Sequence, residues 1–174
     1  MLNILINAYA VAPNWGSEQG MAWNWITNIA KHCKCHVITE GEWRKEIEDA
    51  LETHPFRNNI TFYYNPVPEK VRKMCWNQGD WRFYYYYRKW QKSTLKIAEQ
   101  ICREHRIDIT HQLNMIGFRE PGLLWKIKGV KHVWGPIGSM GAVPTEFLKD
   151  LPLTARLKQS LKNFITRYQI THSP

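Results

Sequence analysis

Three stretches of this 174-residue chain concentrate residue types that hold polar ligands. The first is Trp15-Gly16-Ser17-Glu18, with Gly20 close behind; the second gathers His111, Gln112, Asn114, Gly117, Arg119 and Glu120; the third is Gly135-Pro136-Ile137-Gly138-Ser139-Met140-Gly141. A glycine turn that opens a helix leaves backbone N–H groups free at the positive end of the helix dipole, which suits a phosphate or a sugar hydroxyl. Charged forks such as Glu18, Arg119 and Glu120 suit hydroxyl recognition. His111 reads either as a site imidazole or as a satisfied core histidine, in even balance.

The absences narrow the chemistry. There is no Gly-x-Gly-x-x-Gly after the first apolar run and no Gly-Lys-Thr or Gly-Lys-Ser, which argues against dinucleotide binding and P-loop hydrolysis. A Gly-x-Ser-x-Gly elbow is also missing, removing the commonest serine-hydrolase reading. No Asp-x-Asp is present, and no metal centre is expected.

The elements that must position these loops follow from periodicity. Apolar runs at Ile4–Tyr9, His36–Thr39, Ile60–Tyr64, Ile107–Thr110 and His132–Trp134 read as strands, with helical patterns between them. That alternation predicts an α/β fold, a Rossmann-like parallel sheet with helices on both faces, whose ligands bind beyond the carboxyl ends of the strands. The first helix is expected to bury Ala22, Trp25, Ile26, Ile29, Ala30 and Cys33, with Asn14 or Ser17 as its cap. Glu42–Thr53 reads as a mostly solvated second helix. A long helix over Asp80–His105 carries Phe83, Tyr87, Trp90, Thr94, Ile97 and Ile101 on a core-facing stripe. A short helix is expected near Pro121–Ile127 and a final amphipathic one through Leu153, Leu157, Leu161, Phe164, Ile165 and Tyr168. With no linker or repeat, residues 1–174 read as one domain.

A hydrophobic fraction of 44% and aromatics at 13% exclude disorder. The formal charge of +9 favours anionic partners. Much of it lies in residues 70–96, where eight basic residues face one acid, Asp80, and alternate with Trp76, Trp81 and the run Phe83 to Tyr87. Arg82, Arg88, Lys89 and Trp81 are the candidate contacts there for an acidic membrane face, and the competing reading makes the aromatics core. Single-stranded nucleic acid would also suit stacking platforms beside cations, but no RNA-binding signature accompanies them. Cys33, Cys35, Cys75 and Cys102 include no Cys-x-x-Cys and read as reduced thiols of a cytoplasmic protein. Met1-Leu2-Asn3 has no basic n-region, and no apolar run reaches the ~20 residues needed to span a bilayer.

Taken in order, Ile4-Leu5-Ile6-Asn7-Ala8-Tyr9, Gly16-Ser17-Glu18 with Trp23-Asn24-Trp25, Asp108-Ile109-Thr110-His111 and Trp134-Gly135-Pro136-Ile137-Gly138 resemble the N-terminal half of a family-four, GT-B-fold retaining glycosyltransferase. The resemblance covers nearly the whole chain. It implies an acceptor-binding half whose nucleotide-sugar co-substrate is held, without metal or other cofactor, by a C-terminal donor-binding domain that this chain lacks. It places Gly16 and Ser17 at the donor phosphates, His111 as the catalytic group beside the transferred sugar, and Glu18, Arg119, Glu120 and Gly138 at the carbohydrate acceptor. The family's Glu-x7-Glu motif belongs to the other half; Glu40 and Glu48 share its spacing but follow the second strand here. Relatives commonly continue Gly-Gly-Glu after the position of Gly138, whereas this chain has Ser139-Met140-Gly141. The implied activity is sugar transfer to a surface glycan or lipid-linked acceptor, in a cytoplasmic protein peripheral to the inner face of the membrane. The reading from a different class is a non-enzymatic module that binds acidic membrane or nucleic acid through residues 70–96.

Overall fold

The computed structural model describes residues 1–77 and 80–172. Five strands, β1 (Leu2–Asn7), β2 (Cys33–Thr39), β3 (Ile60–Tyr64), β4 (Ile109–Gln112) and β5 (Lys131–Trp134), form one parallel sheet in the order β3-β2-β1-β4-β5. The order reverses at β1, so the connections leaving β1 and β4 depart toward opposite faces and part at the carboxyl edge. This is the expected Rossmann-like arrangement.

Alternation along β1 splits the core in two. Ile4 and Ile6 point to one face, packing with Cys35 and Val37 of β2, with Ala22 and Ile26 of α1 (Ser17–Ile29), and with Ile47 of α2 (Arg44–Glu52). Leu5 points to the other, where Ile38 joins Ala98 and Ile101 of a long helix, α4 (Arg82–Glu104). A third cluster lies beyond the strand ends: Tyr9, just past β1, meets Phe83, Tyr87 and Trp90 of α4 edge-on, with ring centroids 4.9–5.6 Å apart. Edge-to-face pairs of this kind add about 0.5–1.5 kcal/mol each beyond burial.

Several sequence expectations are corrected. The helix α3 (Glu69–Trp76) was not anticipated, because Val71 is the one residue it buries and no apolar stripe announces it. Its start was nonetheless signalled by Pro68 followed by Glu69. Trp25 is 42% exposed rather than buried, and Cys33 belongs to β2. Neither Asn14 nor Ser17 caps α1: both take left-handed backbone, φ 62° and 57°, and Gly16 stands at the cap with no side-chain bond. Near Pro121–Ile127 there is only a 3-10 turn, Leu124–Lys126, because left-handed Gly122 and Gly129 leave too little chain for a full helix.

Two compact units divide the chain: residues 1–115 with 120–136, which hold the sheet, and residues 116–119 with 137–174. In the second, Gly117 and Gly138 pair as a single parallel bridge, and the principal element is α5 (Leu153–His172). The anticipated apolar stripe on α5 exists but faces outward, with Leu153, Leu157, Leu161, Phe164, Ile165 and Tyr168 all exposed. The face turned inward is instead mostly small or polar, as Thr166 is buried and Ala155, Gln159, Asn163, Gln169 and Ile170 are half-buried. Asn163 exchanges two hydrogen bonds with the Val143 backbone, and Arg119 donates to Gln169 at 2.7 Å.

Candidate functional site

The loop leaving β1 is shaped by what lies beneath it. Asn7, the one polar residue at the buried end of β1, donates to Gln91 and Gln112 at 2.8 Å each. Gln91 and Gln112 converge on the Tyr87 hydroxyl, and Asn114 donates to the Ala10 carbonyl. All five are buried, so the network ties β1, β4 and α4 together where the sheet order reverses. Buried amides that bond one another fix a unique arrangement, since each bond lost in low dielectric leaves a group that water no longer solvates, although the Oδ1 atoms of Asn7 and Asn114 have no partner among the described residues.

Above this network the chain adopts left-handed backbone at Asn14, Ser17 and Met115. Such residues cost roughly 1–3 kcal/mol each and persist where their surroundings over-determine them. The over-determining contacts are visible. Glu18 accepts the Met115 N–H at 2.9 Å, so the first turn of α1 holds the loop after β4. Gly20 passes against the Trp15 carbonyl, where an added Cβ would lie 1.7 Å from the oxygen. Gly16, by contrast, has open space around it and an ordinary φ of −85°. Gly20, not Gly16, is the glycine that this turn requires.

Between these loops, the end of α3 and the start of α4 lies a cleft of about 340 Å³, lined among others by Tyr9, Ser17, Glu18, Trp76, Trp81 and Tyr84. Three of its aromatic rings are presented to solvent, Trp76 at 46%, Trp81 at 76% and Tyr84 at 46% exposed. Trp76 is oriented by donating its indole N–H to Glu42 at 2.9 Å. Asp80 lies on the rim, and its carboxylate is held below the usual range by the Arg82 guanidinium, with which it makes a bidentate pair. At the floor, the Tyr9 hydroxyl is buried and has no hydrogen-bond partner among the described residues. Burial raises its pKa, so it stays a neutral donor and acceptor. Cys75 also lines the cleft, but burial pushes its thiol up to about 12, leaving it a poor nucleophile at neutral pH.

Of the residues singled out from the sequence, Ser17 and Glu18 reach this cleft. His111 does not line it. In register with Ile6 it lies on the α1 face of the sheet, beside the Trp25 ring at 5.9 Å, with Nε2 2.8 Å from the Gly135 carbonyl oxygen. Burial lowers its pKa, so the neutral ring donates to that carbonyl and tethers the chain after β5. Glu120 accepts from Arg88 at 3.1 Å. Arg119 and Gly138 belong to the second unit, where Arg119 lies over the Phe118 ring.

The basic aromatic segment divides along its length. Phe83, Tyr87 and Trp90 are core, whereas Trp81, Tyr84 and Tyr85 are exposed, with Lys89 poised 4.4 Å over Tyr85. Arg72, Lys73, Arg82 and Arg88 each meet a carboxylate, which offsets much of the apparent charge. Glu40, half of the chance Glu-x7-Glu spacing, is buried and anchors α3 by accepting from Arg72 and from the Val67 N–H.

The expectation that the seven histidines show no His-x-x-x-His or other dense ligand spacing is corrected by His32-Cys33-Lys34-Cys35-His36, a dense run of metal-ligating types that holds that spacing. Strand alternation sends neighbouring side chains of β2 to opposite faces: Cys35 packs in the α1 core while the His36 ring lies 4.5 Å from that of His105 in a tilted pair and meets the Tyr63 hydroxyl at 3.1 Å. Among the described residues no three His, Cys, Asp or Glu side chains are grouped to hold a metal. Nor is any described helix long and apolar enough to cross a membrane. Comparison with known proteins returned no matching family model, no matching curated protein and no matching solved structure.

Proposed function

We propose that this chain is the acceptor-binding half of a nucleotide-sugar-dependent glycosyltransferase, and that its acceptor is a surface glycan or lipid-linked saccharide. The observation that carries the reading is the cleft beyond β1, where exposed Trp76, Trp81 and Tyr84 stand beside the Glu18 carboxylate above the unpartnered Tyr9 hydroxyl. A pyranose ring has apolar C–H faces and polar edges. Aromatic planes take the faces, while carboxylate and phenol groups take the hydroxyls; few other ligand classes need both at once.

Gly16 and Ser17, at the start of α1, are the groups that would approach donor phosphates when a second, donor-binding domain closes over this one. His111 contributes to this reading by position, holding Gly135 and with it the chain that follows β5. Transfer needs groups from both walls of a closed cleft, so the chain by itself binds saccharide without catalysing transfer.

Titration of residues 1–174 with a panel of neutral and lipid-linked oligosaccharides, followed by tryptophan fluorescence, tests the reading. Saturable quenching that Trp81→Ala shifts to about tenfold higher saccharide concentration is expected, with no transfer from nucleotide sugars to the bound saccharide. Sugar transfer by this chain alone, or the absence of any saccharide response beside tight, salt-sensitive RNA binding, overturns it.

A further inference from the structure

The helix α5 is amphipathic in the inverse sense. Its small and polar positions, Ala155, Gln159, Asn163 and Thr166, turn inward, and its large apolar ones, Leu153, Leu157, Leu161, Phe164 and Tyr168, turn out. Spaced four, four, three and four apart, these form a continuous strip along a helix about 30 Å long. Phe147 and Leu151, just before the helix, extend the exposed apolar surface at 73% and 42% exposure. A strip this long, left open to water, marks an interaction surface.

Charge selects the partner. The helix carries Arg156, Lys158, Lys162 and Arg167 and no Asp or Glu. At 3.6 residues per turn, Arg156 and Arg167 border one side of the apolar strip and Lys158 and Lys162 the other. No salt bridge occupies any of the four among the described residues. Two copies of such a helix packed face to face would bring like charges together along both borders, whereas an anionic bilayer takes the apolar strip into its acyl boundary and the flanking cations at its headgroups.

We propose that α5 docks in the plane of an anionic lipid bilayer through Leu153, Leu157, Leu161, Phe164 and Tyr168, flanked by its four cations. The inference does not depend on the saccharide cleft. It also differs from the surface that sequence alone favoured, since in residues 70–96 Phe83, Tyr87 and Trp90 are core and four of the eight cations are paired.

The test is flotation of residues 1–174 with vesicles of phosphatidylcholine alone and of phosphatidylcholine mixed with phosphatidylglycerol. Binding to the mixed vesicles, weakened by salt, is expected. Lys158→Glu with Lys162→Glu lowers the partition coefficient roughly tenfold or more. Leu157→Ser with Phe164→Ser lowers it at least as far, with the thermal midpoint unchanged because both side chains are already exposed. No binding to mixed vesicles overturns the proposal. So does binding that survives both α5 pairs but is lost on Trp81→Ser with Lys89→Glu, and so does a dimer, dissolved by Leu157→Ser, that ignores lipid.

Discussion

The helices α4 and α5 share a sequence grammar and meet opposite fates. Both are long, both repeat apolar residues at three- and four-residue spacing, and both are rich in Lys and Arg. On α4 that stripe is core: Phe83, Tyr87, Trp90, Thr94, Ala98 and Ile101 are all buried. On α5 the equivalent stripe is solvent-facing, and Thr166 is the one residue the helix buries. The difference lies in what each helix finds waiting. The stripe of α4 is complemented by residues distant in sequence, with Tyr9 presenting its ring edge-on to three aromatics and Asn7 a hydrogen bond to Gln91. The inner face of α5 is complemented by polar backbone, through Asn163 and Val143, so its polar side is the one satisfied. Periodicity identifies a stripe; the partner decides whether it is covered.

The largest expected effect separating the two helices is on stability. Tyr87→Ala should cost about 3–5 kcal/mol in urea denaturation, because it removes a fully buried ring and empties its place between Tyr9 and the amide network. If the stripe of α4 were as open as that of α5, the loss would be a fraction of this. Gln91→Leu should cost about 1–3 kcal/mol, since it removes one of the two bonds that Asn7 donates and leaves the Tyr87 hydroxyl only the long 3.4 Å contact from Gln112 in a buried setting.

An intermediate effect is expected at the saccharide cleft. Trp81→Ala should weaken oligosaccharide binding by about tenfold while leaving the denaturation midpoint in place, as the ring is 76% exposed. The pH dependence should come from the unit that holds α4. His36, His111 and His132 there all have pKa values lowered by burial, so the unfolded chain binds more protons than the folded one just below the ordinary histidine value. Stability is therefore full above about pH 6.5 and falls as pH drops through that value toward the lower folded-state values. Urea midpoints from pH 8 down to pH 5 check this, and a flat profile would remove the buried neutral imidazoles. The smallest effect is Leu157→Ala on α5, expected within about 0.5 kcal/mol of the parent.

Much of the architecture was legible in the chain. All five strands overlap the apolar runs that predict them, although β4 begins two residues later than the expected Ile107–Thr110; β1, covered on both faces, is apolar from Ile4 to Ile6, whereas the edge strand β5 is largely exposed. The cleft was legible only in part. Ser17 and Glu18 stand out beside a glycine turn, but Tyr9 reads simply as the end of a strand, and Trp76, Trp81 and Tyr84 as members of a basic aromatic run. Asn7 was the overlooked signal, a lone amide at the end of an apolar strand, which in a buried position demands partners and points to the switch in strand order. His111 shows the converse: its place in β4 suggested the carboxyl edge, but pleating directs its side chain to the α1 face.

By itself, the sequence determined the elements of this protein, their alternation and hence a parallel sheet with helices on both faces. These depend on local period and composition, which one stretch of chain carries entirely. Only the tertiary structure decided which stripes are covered, which carboxylates are consumed in ion pairs, and which polar groups are left open around a cleft. Each of those depends on groups far apart in the chain meeting in space, as Tyr9 meets α4 and Glu18 meets Met115. No local pattern encodes such meetings; they follow from packing all the elements at once.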